Sequence, residues 1–352
     1  MDKKGMCIYT PPNCLQVNTE YLNTLKVLAA FAVLVYHVVK PLVSFHSLAL
    51  SDFERNTCLV FYNLLNWHVP VFVMITGALL LNPEKEITIL KLFKKYISRI
   101  IFALFVFGFP FAFLEIYFDA HYQFNIKQIY YAFVNIFDQN RMWDHMWYLY
   151  MVIGLYLVIP LIKGFISYAE KSTVEYILIL LFIFTSIIPY FERILGFRFF
   201  ISIPVNSIYV FYLIFGYYLH NYKVMLNCKL LVFLLSLFII SVVLSIINIH
   251  AGTIIQLGYD SPFVILAASV IFCLVRQRNK FSKITNVLSF LCFGIYLIHP
   301  LFINFLYKFL KLIPERYPLI MDVFITGIVT IILSIGFTFY ARKINIIRKY
   351  LL

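Results

Sequence analysis

Lys26 and His37 stand eleven residues apart in one apolar run, Leu25-Lys26-Val27-Leu28-Ala29-Ala30-Phe31-Ala32-Val33-Leu34-Val35-Tyr36-His37. If that run is a membrane helix, eleven steps of 100° make three turns plus roughly 20°, so both polar groups share one face about 16 Å apart. The pair would place a cation near one membrane surface and a titratable base toward the other. Ionisable groups inside a bilayer are costly enough that function is their default reading. His68 and His299 are likewise embedded in apolar sequence. An unpaired imidazole there is costly, so each needs a partner, either in packing or in chemistry.

The elements that must position these residues are helices in lipid. The chain has 352 residues, 62% hydrophobic and only 13% charged, with a mean hydropathy of +0.89. No soluble domain hides that much apolar surface. Ten stretches, at 22–45, 57–82, 100–118, 146–163, 174–190, 206–222, 230–249, 262–276, 285–306 and 318–341, are long enough or nearly so to cross roughly 30 Å of hydrocarbon. The fourth and eighth are marginal in length. The expected fold is all-α: a polytopic membrane protein of about ten transmembrane helices in a single domain, 1–352, with 1–21 as a short cytoplasmic segment. Between Asp119 and His145, the run Ile129-Tyr130-Tyr131-Ala132-Phe133 predicts a short helix lying in the interface.

Basic residues set the orientation. With the N-terminus inside, nineteen lysines and arginines fall on the cytoplasmic side and nine on the other, which predicts N-in and C-in. The net charge of +13 is then mostly a topology signal. The basic residues are scattered over short loops, with no nucleic-acid-binding module. The six cysteines show neither CxxC spacing nor a disulfide framework, and the dispersed histidines show no metal-ligand spacing, so no metal is expected. In this topology, seven of the eight histidines and most acids, including Glu115 and Asp144, lie in the outer half or outside. Proton chemistry belongs there.

Five motifs then resemble one known family, acyltransferase family 3, bacterial inner-membrane enzymes that O-acylate surface polysaccharides and related envelope glycans. Lys26-x10-His37 resembles the family's Arg-x10-His, and Pro70-Val71-Phe72-Val73-Met74-Ile75-Thr76-Gly77 resembles its P-[VL]-F-F-x-x-S-G. Lys94-Lys95-Tyr96-Ile97-Ser98-Arg99-Ile100 is similar to its basic stretch ending in Arg-Ile. His145-Met146-Trp147-Tyr148-Leu149 with Leu155-Tyr156-Leu157-Val158-Ile159-Pro160 resembles its fourth helix, and Gly294-Ile295-Tyr296-Leu297-Ile298-His299 its C-terminal element. Two positions depart from the pattern. The usual Asp-x-Leu-Arg reads Asn23-Thr24-Leu25-Lys26, which keeps the charge but loses the planar fork that grips phosphate. The usual Ser is Thr76.

The resemblance implies transfer of an acyl group, most simply acetyl, from cytoplasmic acyl-CoA to a hydroxyl of a polysaccharide or undecaprenyl-linked glycan outside. Acetyl-CoA would be a donor substrate, with no permanently bound cofactor. Lys26, Lys95 and Arg99 would meet the donor's phosphates, with Thr76 as a further contact. Arg99 also serves topology, and Thr76-Gly77 also serves close helix packing. His37 would act as general base or transient acyl carrier, with Glu115 or Asp144 orienting it and His299 lining the acceptor cavity. His145, Trp147 and Tyr148 would anchor the fourth helix or stack on sugar. Many relatives carry a hydrolase-like domain after the membrane region. Here the chain stops at Leu352, which predicts the stand-alone type. A transporter or flippase for a lipid-linked sugar is the competing class, and a scaffold that kept the fold a further one. A transporter built from repeats should show a second Lys-x10-His arrangement, and none is present.

Overall fold

The computed structural model describes residues 19–119, 123–137, 143–222, 224, 227–250, 257–278 and 282–351. The N-terminal segment through residue 18, His121, Asp138, Arg141, Lys223 and Lys280 lie outside the described residues, as do the side chains of Asp119, Cys228, His250 and Lys349. Among the described residues there is no strand.

The first apolar run forms one uninterrupted helix, α1 (Glu20–Phe45), with Pro41 inside it. Lys26 and His37 are therefore on one helix, as their spacing predicts. The second run is broken. It forms α2 (Asp52–Leu64) and α3 (His68–Leu80), joined by a turn at residues 65–67. Ser51 starts α2 with a capping box: its hydroxyl accepts from the Glu54 N–H, and the Glu54 carboxylate accepts from the Ser51 N–H. Pro70 accounts for the break, because it offers no N–H to the carbonyl of Asn66 four residues back and sits in the first turn of α3, where that loss is tolerated.

The third run is α4 (Ile89–Phe118), which carries π turns at Leu92–Ile97 and Leu104–Gly108. Then come α5 (Lys127–Asn135), α6 (Asp144–Tyr168), α7 (Lys171–Leu195), α8 (Ile208–Asn221), α9 (Cys228–His250) and α10 (Pro262–Arg276). The chain closes with α11 (Lys283–Ser289), α12 (Cys292–Phe309), α13 (Leu319–Ala341) and α14 (Asn345–Tyr350). The π turns before Pro110 and at Ile183–Ile187 before Pro189 are wide turns placed where proline removes a helix donor. The short helix expected between Asp119 and His145 is present as α5, with Tyr130, Tyr131 and Phe133 exposed.

Among the described residues, seven helices are long and apolar enough to cross a membrane: α1, α2–α3, α4, α6, α7, α12 and α13. The other three of the ten expected segments are also helical: α9 has 23 residues, whereas α8 and α10 have fourteen and fifteen and rise only about 21–23 Å, short of roughly 30 Å of hydrocarbon. The marginal fourth segment extends to 25 residues.

The core is organised around α3. Gly77 on α3 and Gly216 on α8 let the two backbones touch: a Cβ on Gly77 would lie 1.8 Å from the Leu213 carbonyl oxygen, and one on Gly216 would lie 2.0 Å from that of Met74. α1 packs along the same helix. At the Lys26 end of the bundle, Tyr21 and His220 share a hydrogen bond of 2.6 Å, Arg276 donates to the Tyr222 carbonyl (2.9 Å), and Arg99 Nε donates to the Leu351 carbonyl (2.9 Å). At the opposite end of α1, His46 and Glu315 pair at 2.7 Å.

Candidate active site

Three imidazoles meet where α1, the start of α6 and α12 converge. The ring centroids of His37 and His299 are 5.1 Å apart, those of His145 and His299 5.5 Å, and those of His37 and His145 6.3 Å. Their tautomers follow from their partners. His37 Nδ1 lies 2.9 Å from the Val33 carbonyl and His299 Nδ1 lies 3.1 Å from that of Ile295, each one helical turn back. A carbonyl only accepts, so Nδ1 carries the hydrogen in both rings and Nε2 keeps the lone pair. His68, on α3, repeats the pattern against the Leu65 carbonyl at 2.6 Å. Prolines open this backbone further: Pro41 gives no N–H to the His37 carbonyl, and Pro300 gives none to that of Tyr296.

The three rings differ in access. His145 and His299 are 2% and 0% exposed, whereas His37 is half-buried. A cavity of about 830 Å³ reaches His37 from the end of the bundle where Phe45 and Asp144 are exposed, and its wall also includes His145, Glu115, Trp143 and Asn304. A smaller chamber of about 40 Å³ shares His37, Lys40, Asp144 and His145 with it. His299, expected to line a cavity, is not part of the wall of either: its neighbours Pro300, Ile303 and Asn304 line the larger one, while His299 sits behind His37 with Nε2 buried and without a hydrogen-bond partner among the described residues.

Glu115 and Asp144 both reach the cavity, but neither orients His37. Glu115 accepts from Trp143 Nε1 at 2.8 Å and pairs with Lys308 at 3.5 Å. Asp144 forms an ion pair with Lys40. The orienting partner of His37 is the Val33 carbonyl of its own helix, so the carboxylates shape the cavity wall and its charge. Trp147 stacks on Tyr259 (5.7 Å, 29° between planes), and Tyr148 meets Tyr296 edge-on at 5.5 Å. These aromatics line the smaller chamber.

The predicted donor contacts gather at the other end of α1, unequally. Lys26 is partly buried beside Cys292, and Lys85 lies within electrostatic reach of Lys26, Lys91 and Lys95. Burial, and then those three cations, hold the Lys85 ammonium below the usual lysine range. Lys163 Nζ donates to the carbonyls of Asn82 and Lys85, which fixes the loop that presents them. Lys95 is exposed over the Tyr96 ring, at 6.0 Å. Arg99 commits its Nε to the Leu351 carbonyl and stacks over Phe293 at 5.6 Å, so it ties the C-terminal residues to α4 and α12. Thr76 Oγ1 donates to the Phe72 carbonyl at 3.0 Å, and its neighbour Gly77 makes the crossing with α8. Of the alternatives for Thr76-Gly77, this is the packing one.

His145 reaches the cluster although its position at a helix entry reads as an interfacial anchor. Its Nε2 is buried without a hydrogen-bond partner among the described residues, and the Tyr296 hydroxyl donates to its carbonyl. Lys40, three residues past His37 on the same helix face, was legible from spacing alone. Tyr259, in the turn before α10, meets His68 at a centroid distance of 6.0 Å across 191 residues, and no local pattern announces it. Among the described residues, no group of three His, Cys, Asp or Glu is arranged to hold a metal ion.

A family model described as an acyltransferase domain matches residues 19–339, which include both ends of α1, the imidazole cluster and the basic loop. No curated protein and no solved structure matches the chain. The chain belongs to acyltransferase family 3 and is a multi-pass membrane acyltransferase.

Proposed function

We propose that the protein moves an acetyl group from cytoplasmic acetyl-CoA to a hydroxyl of a cell-surface glycan, or of its undecaprenyl-linked precursor, across the bacterial inner membrane. The observation that carries this reading is the polarity of α1. Lys26 stands at one end within electrostatic reach of Lys85, which also faces Lys91 and Lys95, and about 16 Å along the same helix His37 is the half-buried, most accessible member of three imidazoles at an 830 Å³ cavity. An extended pantetheine arm is of that length. A phosphate group held among Lys26, Lys85 and Lys95 would let the thioester reach His37 from within the membrane.

The chemistry then follows from the tautomer. The acceptor hydroxyl attacks the thioester carbonyl while His37 Nε2 takes its proton, and the Val33 carbonyl steadies the N–H on the other side of the ring. When the carbon–sulfur bond breaks, the same nitrogen returns the proton to the sulfur, giving the ester and free coenzyme A thiol. His145 and His299 pack behind His37 and hold the ring in place.

The test uses inverted membrane vesicles supplied with radiolabelled acetyl-CoA. Label should enter the glycan fraction, and His37→Ala should abolish transfer while the protein still inserts and accumulates. A well-expressed, active His37→Ala protein overturns the role of His37. Absence of label from both glycan and protein with the wild type overturns the transferase reading in favour of a transporter.

A further inference from the structure

The chamber of about 40 Å³ beside His37 is small and partly open, and it shares His37, Lys40, Asp144 and His145 with the larger cavity. Two helix faces form much of the chamber: Val33, Tyr36 and His37 at helical spacing on α1, and His68, Val69 and Phe72 at helical spacing on α3. A water molecule takes up about 10–15 Å³ of space, so the chamber has room for only a small group. An acetyl group has three non-hydrogen atoms: the methyl carbon, the carbonyl carbon and its oxygen.

Resting on the transferase reading above, we propose that this chamber is the acyl subsite and that Phe72 sets its length limit, which makes the enzyme selective for a short, uncharged acyl group. The limit is stiff because α3 cannot recoil. One turn beyond Phe72, the Gly77–Leu213 and Gly216–Met74 contacts already bring α3 and α8 to backbone contact. The Phe72 ring leans on Tyr148, at a centroid distance of 6.2 Å, and its carbonyl holds Thr76. A dicarboxylic acyl group meets a second barrier. The chamber's lysine, Lys40, is already paired with Asp144, so a terminal carboxylate would compete with Asp144 for that one cation of the lining and meet like charge beside it.

The experiment compares acetyl-, propionyl-, butyryl- and succinyl-CoA as donors in inverted vesicles, following release of the coenzyme A thiol and label in the glycan. One methylene in a tight apolar pocket is worth roughly 10–200-fold in kcat/KM. Wild type should therefore lose about tenfold or more from acetyl to propionyl and again to butyryl. Phe72→Ala should raise the butyryl-to-acetyl ratio by about tenfold or more. Val69→Ala provides an independent enlargement should Phe72→Ala fail to accumulate. A wild type that uses butyryl-CoA as well as acetyl-CoA, or variants that transfer acetyl with an unchanged ratio, overturns the chamber assignment and leaves the transferase reading standing. A wild type that releases no thiol from any donor overturns both.

Discussion

At the scale of single residues, the deciding contrast is between groups that touch the cavity and groups that hold those that do. His37 has an exposed edge and a lone pair fixed on Nε2 by its own helix, whereas the carboxylates nearest in space are engaged elsewhere. Glu115 is over a third exposed and its partner Lys308 lies 3.5 Å away, a pair of the kind worth about 0.2–1 kcal/mol. Glu115→Gln should therefore cost less than about fivefold in kcat/KM for acyl transfer. A hundredfold loss would return that carboxylate to an orienting role. The site was legible in sequence where a residue's cost was local. An imidazole in an apolar run announces itself, as His37, His68 and His299 do. Which of them meets substrate was not legible, because exposure of His37 and burial of His299 depend on how α1 and α12 turn toward each other. His145 lacked the signal of an embedded charge because it begins its helix rather than interrupting it.

At the scale of helices, one contact decides whether α3 presents the chamber wall at the right depth. A methyl group on Gly77 or Gly216 would fall within 2.0 Å of a backbone oxygen on the facing helix, and backbone cannot step aside as a side chain does. Gly77→Ala should destabilise by more than the about 1–3 kcal/mol usual for overpacking. Gly154, on α6, meets nothing within 4 Å, so Gly154→Ala should be neutral or stabilise by about 0.5–1 kcal/mol. Thermal unfolding of the detergent-purified proteins checks both, and equal melting temperatures would dismiss the crossing. Helix existence was readable throughout from apolar runs. The break in the second run was also signalled, by Pro70, though hydropathy alone merges α2 and α3 into one segment. The shortness of α10 was legible too, since its apolar run 262–276 is itself marginal and the helix fills it end to end. The shortening of α8 was not, because its helix starts at Ile208 and stops at Asn221 inside the run 206–222, and apolar composition does not fix where a helix stops.

At the scale of the whole molecule, the two ends of α1 carry different chemistry, and the lysine end is separately testable because its charges act through the field of a cluster. Lys85 is partly buried and faces Lys26, Lys91 and Lys95, so burial first and like charge second hold its ammonium below the ordinary lysine range. The sign follows directly. As pH rises, Lys85 loses its charge before an ordinary lysine does, near about 10.4, and the cluster's hold on an anionic donor weakens. The KM for acyl-CoA should therefore climb on the alkaline side while kcat stays level, since a contact to remote phosphates binds ground state and transition state alike. Lys85→Gln should raise KM at neutral pH and remove that early alkaline limb. Added salt should raise KM in the wild type more than in the variant, because screening acts on the charge the variant has lost. Initial rates over a pH and salt series, measured for both proteins with the same donor, decide the matter. A KM indifferent to pH, salt and the substitution would separate the basic loop from donor binding and leave it as a determinant of topology alone.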